Sequence, residues 1–347
     1  MIIKSNDIIE SDVWKKIANC HYAGGNLPPK GLVHCRVKYL YEFLQRCGQE
    51  KGAGPYVLVT SDEDYGVVYQ DRHPVWRDVL KYVAMRHFRD KLGMMAAAEL
   101  AAYRAGSRVM RNPEDKTGID PSENEGGYSD VIIPARCDAR QCNVKHLYSF
   151  KTYAHTELTF DRLPSNISHW FAVNSAVEED FLTPIPLGVQ RGQAELLGSI
   201  ERGAGNLLYI NFSMYTKPRL DALNYFSMKE YDWVTLVKDQ GRTEGEFLED
   251  IASHDFVLCP QGNGVDTYRL WQTLYLGSIP IVNSTMQESF FSELPIMWCE
   301  DLDAIKPGPL GSAKELAPKL PVSFEKARLS YWKGQIADKV REALEGA

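Results

Sequence analysis

HDFVLCPQGNGVDTYRLWQTLYLGSIPIVN, residues 254–283, lays out a strand, a glycine turn, a helix and a second strand within thirty residues. The apolar run Phe256–Cys259 reads as a buried strand and leads into Pro260-Gln261-Gly262-Asn263-Gly264. Asp266 and Thr267 are the residue types that open helices, because their side-chain oxygens accept from unpaired N–H groups of the first turn. Gly277 closes the helix, and Ile279–Val282 forms the next buried strand. Arg269 stands in the first helical turn. A unit of this form can hold an anion, since the helix N-terminus presents free N–H groups and the positive end of its dipole.

The same alternation extends to both sides. LLYIN (207–211), WVTLV (233–237), FVLC (256–259), IPIVN (279–283) and PIMW (295–298) are short apolar strands. Helical stretches separate them at roughly 217–228, 243–253, 266–276 and 285–292, the second with Thr243 and Glu246 at capping-box spacing. Strands that are apolar throughout and alternate with helices predict a parallel sheet covered on both faces. This half is therefore expected to be a Rossmann-like unit.

Toward the N-terminus, YVLVT (56–60) is a strand that ends in the acidic run Asp62-Glu63-Asp64. Val33, Val37, Leu40, Tyr41 and Leu44 keep helical spacing just before it. Residues 75–105 look helical, while 111–130 is polar and rich in turn formers, as expected of a mobile surface loop or lid. HWFAVN (169–174) and IPLGV (185–189) return to strand character, and 190–206 is the expected domain break. From Phe324 to Leu344 the spacing predicts a final amphipathic helix. The expected division is 1–190, 205–320 and a terminal helix over 321–347.

At 347 residues the chain suits about two domains of roughly 150 residues each. Its 44% hydrophobic and 24% charged content is ordinary for a globular protein. A net charge of −7 gives no support for a nucleic-acid footprint. The first residues contain no long apolar core, so neither a signal peptide nor an integral membrane segment is expected. Seven cysteines, at 20, 35, 47, 137, 142, 259 and 299, are odd in number and scattered. They complete no zinc site and read as reduced core residues, which fits a cytoplasmic protein.

The glycines of the turn let backbone approach a ligand closely. Asp266, Arg269 and Gln272 fall at i, i+3 and i+6 and are expected on one helix face, with Leu270, Trp271, Leu274 and Tyr275 packing inward. Arg269 is placed to clamp a diphosphate and Gln272 to hydrogen-bond ribose hydroxyls. The plain alternative is an ordinary tight turn with a surface arginine. The turn is no P-loop, because no Lys-Ser/Thr pair follows the glycines, and no dinucleotide fingerprint, because position 267 is threonine.

The block resembles the C-terminal motif of exostosin-like glycosyltransferases, glycosyltransferase family 47 and its bacterial and viral relatives. There a strand ending in Pro leads to GNG-x-D-x-x-R-x-W-E and then to G-x-IPIV. Here the matching residues are Pro260, Gly262-Asn263-Gly264, Asp266, Arg269, Trp271, Gln272 and Gly277-Ser278-Ile279-Pro280-Ile281-Val282. The likeness covers about 170–300, and the first 150 residues carry little of it. It implies a GT-B architecture, two Rossmann-like domains facing across a cleft, with the sugar nucleotide in the C-terminal one and the last helix crossing back.

By position, Arg269 would then meet the diphosphate and Gln272 the ribose, with Pro260, Gly262, Asn263, Gly264 and Asp266 framing the donor. Thr216, Lys217 and Arg219 would face the same phosphates, and Lys238 would line the nucleotide pocket. One residue departs from the pattern: the family usually has Glu where this chain has Gln272.

Glycosyl transfer needs the leaving diphosphate stabilised and, for inversion, a base that takes the acceptor hydroxyl proton. Asp62 comes first and Asp64 second for that base, with His87 behind them, because a parallel sheet presents functional groups at its carboxyl edge. The bland reading has these carboxylates capping a turn. The retaining pattern of two glutamates eight positions apart is absent, since 272 is Gln and 264 is Gly.

The expectation is a metal-independent inverting transferase. It takes a nucleotide-diphosphate sugar, UDP-sugar favoured, and a glycan or glycolipid acceptor in surface polysaccharide or lipopolysaccharide synthesis. Two alternatives stand beside it: a non-catalytic nucleotide-sugar-binding or assembly subunit, and a metal-dependent GT-A-type transferase using Asp62 and Asp64 as a DxD pair. The histidines show no metal-ligand spacing, and His254 reads as structural.

Overall fold

The computed structural model describes residues 3–50, 52–61, 109–110, 131–132, 164–175, 180–203, 205–212, 217–228, 230–237, 241–262, 266–283, 288–299, 301–316 and 323–346. The chain opens with α1 (Val13–Ile17), β1 (Cys20–Tyr22), β2 (Gly31–Arg36), α2 (Val37–Gln49) and β3 (Tyr56–Ser61). The short strands β4 (Val109–Met110) and β5 (Val131–Ile132) pair antiparallel. β6 (Ile167–Val173), β7 (Leu182–Ile185) and α3 (Ala194–Ser199) complete this half. The rest runs β8 (Asn206–Ile210), α4 (Lys217–Ser227), β9 (Val234–Leu236), α5 (Glu244–Ala252), β10 (His254–Leu258) and α6 (Tyr268–Tyr275). It ends with β11 (Ile279–Asn283), α7 (Glu288–Phe291), β12 (Met297–Cys299), α8 (Pro307–Leu316) and α9 (Leu329–Glu345).

The protein is α/β, with two five-stranded parallel sheets compatible with Rossmann-like units. The first has the order β1-β2-β3-β6-β7 and the second β12-β11-β10-β8-β9. β3 and β10 are buried along their whole length, as parallel strands covered on both faces must be. In its own chain order the second sheet reads 2-1-3-4-5, so its strand order reverses between β8 and β10. Ligands of open α/β sheets bind in the crevice outside the carboxyl ends of the strands at that reversal.

Two expectations are corrected in the first half. Val33 is not helical: it lies in β2, fully buried, paired with Cys20 on one side and Leu58 on the other. The helical period begins only at Val37, and the ladder on both sides of Val33 overrides the local spacing. The strand expected at 185–189 is Leu182–Ile185, and Val189 makes only a single bridge to Glu10. The stretch 190–206, where the domain break is expected, contains α3, with Leu197 buried. The expected helix at 75–105 and the polar loop at 111–130 lie outside the described residues.

One hydrophobic core serves both sheets. Val57, Phe171 and Trp14 of the first half join Val257, Trp271 and Leu274 of the second, together with Trp332 and Ile336 of α9. α9 lies against β2, β3 and β6. Gly188 marks a close crossing: it sits at φ 75°, and a Cβ there would come within 2.2 Å of the Ile9 carbonyl oxygen. The described cysteines are free thiols, four of them buried. Among the described residues no helix is long and apolar enough to cross a membrane.

Candidate functional site

The carboxyl ends of β8 and β10 place the glycine turn at the reversal of the second sheet. β10 continues through Cys259, whose N–H donates to the Ile281 carbonyl at 2.8 Å, and then leaves the sheet at Pro260. α6 opens two residues later than the expected 266: Thr267 is its cap, its hydroxyl accepting from the Leu270 N–H, and Tyr268 is its first residue.

Arg269 projects from this first turn between two aromatic rings. Its guanidinium carbon lies 5.6 Å from the centre of Phe212, just after β8, and 5.3 Å from that of Phe247 in α5. The ring faces hold the cation by their quadrupoles. Arg269 as a whole stays partly exposed, but its Nε is buried and meets no acceptor among the described residues. Burial lowers its pKa to about 10, and the like charge of Arg219 pushes the same way. It remains a cation at neutral pH.

Arg219, on α4, comes to the turn from the other side. A Cβ on Gly262 would stand 2.9 Å from its guanidinium nitrogen, so the tip of Arg219 packs closely against this glycine. Two guanidinium groups and a helix N-terminus thus converge on the reversal point, an arrangement that stabilises an anion. The Cys259 thiol beneath them is pushed up to about 12 by burial and is inert at neutral pH.

Asp266 faces away from this cradle. Its carboxylate accepts the Leu187 N–H at 2.7 Å and the Trp271 indole N–H at 2.8 and 2.9 Å. Its own N–H donates to the side-chain oxygen of Asn174, just past β6, at 2.8 Å. Burial pushes the carboxyl up to about 7, against the pull of the Leu187, Trp271 and Thr267 N–H donors. Asp266 thus ties the turn to the ends of the first sheet. Gln272 is buried, and its amide N–H donates to the Gln193 side-chain oxygen at 2.9 Å. Gln193 in turn donates to Glu244, at the start of α5.

The sequence therefore places Arg219, Pro260, Gly262, Asp266, Arg269 and Gln272 around one turn, and the structure gives Asp266 and Gln272 partners within the protein. Lys217 is the first residue of α4. Asp62, Asp64, His87, Thr216, Lys238, Asn263 and Gly264 lie outside the described residues. His254 is structural, its ring bonded to Thr235 and to the Asp250 carbonyl. Sequence reading missed Phe212, Phe247, Asn174 and Gln193. Their only local signal is an aromatic or amide next to a strand or helix end, which many residues share.

Fold and site together define an α/β protein with two arginines and a helix N-terminus at the strand-order reversal of a parallel sheet. A family model described as RXYLT1 C-terminal domain matches residues 213–297, about a quarter of the chain. This is a xylosyltransferase family related to exostosin-like glycosyltransferases, and the match supports a glycosyltransferase, with a sugar donor and an acceptor. The matched stretch contains Arg219, Gly262 and Arg269. No curated protein matches the chain.

Proposed function

We propose that this protein is an inverting GT-B glycosyltransferase that moves a sugar, a pentose or hexose, from a nucleotide-diphosphate donor to a glycan hydroxyl. The observation that carries the reading is the Arg219–Arg269 pair against Gly262 at the sheet reversal, inside the stretch that matches the family model. In the reaction the acceptor oxygen attacks the anomeric carbon as the diphosphate departs. The two guanidinium groups and the N-terminus of α6 take up the charge that develops on the leaving group. Asp62 or Asp64, which follow β3 in the sequence, removes the acceptor proton. UDP is the favoured nucleotide, no metal is required, and the setting is cytoplasmic synthesis of surface polysaccharide or lipopolysaccharide.

A second reading, a binding subunit without turnover, draws on Gln272, whose amide N–H is spent on Gln193.

Thermal stabilisation by UDP, GDP, CMP and dTDP, with and without EDTA, tests the donor. Release of nucleotide from the matching sugar donor then tests turnover. Stabilisation that vanishes in EDTA would exclude the metal-free reading, and tight binding without release on any acceptor would favour the binding subunit. Arg269→Ala is expected to weaken binding of the best nucleoside diphosphate by about 2 kcal/mol, measured by calorimetry. Unchanged affinity would take Arg269 out of the site.

A further inference from the structure

We propose that Asn174 is a ligand-binding residue of this crevice, its side-chain N–H donating to an oxygen of a diphosphate seated at the N-terminus of α6. The proposal rests on the nucleotide-diphosphate reading above and adds a group from the first sheet to it.

Two independent anomalies meet at this residue. Asn174 follows β6 with φ 57°, the one positive φ on a non-glycine residue among those described. Side chains resist this region, although asparagine tolerates it best, and such outliers concentrate at functional positions. Had only the backbone shape mattered, glycine would serve with less strain. Asn174 is also 4% exposed, and its Nδ2 is buried with no hydrogen-bond acceptor among the described residues. A buried donor left without an acceptor is a standing cost to the fold.

The orientation of the amide is fixed by its other half. Oδ1 accepts the N–H of Asp266 at 2.8 Å; a flipped amide would set donor against donor. Asp266 stands one residue before Thr267, the cap of α6. Nδ2 is therefore held beside the mouth of that helix, on the side of the first sheet. The first-turn N–H groups beside it are donors as well, and the Asp266 carboxylate is already taken up by the Leu187 and Trp271 donors. Donors beside a carboxylate whose oxygens are already occupied match a phosphate, which only accepts, better than a sugar hydroxyl, which must also donate. Arg219 and Arg269 approach from the second sheet and Asn174 from the first.

The experiment uses the full chain and titrates UDP, GDP or dTDP, whichever binds tightest, alongside its monophosphate. Asn174→Gly relieves the positive φ and removes both the donor and the acceptor of the Asp266 N–H. Its expected result is a melting temperature a few degrees below that of the parent, from the lost Asp266 hydrogen bond, with diphosphate affinity reduced about tenfold or more and monophosphate affinity within twofold of the parent. Asn174→Asp keeps an acceptor for the Asp266 N–H but replaces the donor with a negative group. It is expected to lose more diphosphate affinity than the glycine variant, and it reads the same diphosphate preference should the glycine variant fail to fold.

Diphosphate affinity unchanged in both variants would overturn the proposal. So would an equal loss for diphosphate and monophosphate in Asn174→Gly, which is the mark of a displaced turn. If the parent binds no nucleoside diphosphate, or Arg269→Ala binds it as the parent does, the failure lies with the site reading, and the Asn174 role falls with it.

Discussion

Asp266 shows how a residue can sit at the predicted position and do different work. Its place before the helix suggests a group facing the phosphates, yet a carboxylate there would repel them. The fold turns it toward the Leu187 and Trp271 donors, where it is buried. Burial raises its pKa to about 7, far above the ordinary aspartate range. The folded state therefore holds this proton more tightly than the unfolded chain does. The sign follows: the stability due to this group is present at low pH and falls as pH rises from about 4 through about 7. Replacing Asp266 with Asn removes the titration. The stability advantage of the parent over Asp266→Asn is expected to shrink by on the order of 2 kcal/mol between pH 5 and pH 8, read from urea midpoints. A constant difference across that range would show that the three hydrogen bonds outweigh burial.

Among the elements, α6 was the most legible and still the most instructive. Its cap residue type, its closing glycine and its buried Trp271–Leu274 stripe are written in local pattern. The fate of its polar face is not. Gln272 joins Gln193 and Glu244 in a run where each amide has a fixed direction, because Gln193 also accepts the Gln190 N–H. This accounts for glutamine where the resembling family has glutamate. A carboxylate at 272 would face the Gln193 oxygen, and flipping Gln193 would turn that oxygen onto Glu244 and abandon Gln190. Gln272→Glu is expected to cost about 1 kcal/mol of stability. Adding Glu244→Gln should recover at least half of that loss, a coupling that a double-mutant cycle by thermal or urea unfolding measures. Strict additivity of the two changes would show that the run is not coupled.

At the scale of the molecule the two sheets share a core, and α9 helps to build it. Trp332 is 3% exposed, packs in the cluster common to both halves and donates its indole N–H to the Lys326 carbonyl at 2.8 Å. Trp332→Ala is expected to cost about 3–5 kcal/mol. With side chains of both sheets interleaved, calorimetry of the parent should show one cooperative transition. Two separated transitions, with only one shifted by Trp332→Ala, would show that the halves unfold independently.

The second half of this chain was readable from sequence because each of its strands is short, apolar and bounded by a helix with its own start and stop. Turn, cap and period are local quantities, and they placed Gly262 and Arg269 in one neighbourhood, while Arg219 was expected there only from the family resemblance. The first half was less readable because β1 has three residues and β2 merges into a helix with the same apolar spacing, so pairing across the sheet had to choose between them. Only the tertiary structure decided what Asp266, Gln272 and Asn174 face. Their partners lie 79 or 92 positions away in the chain, at distances that no local pattern encodes.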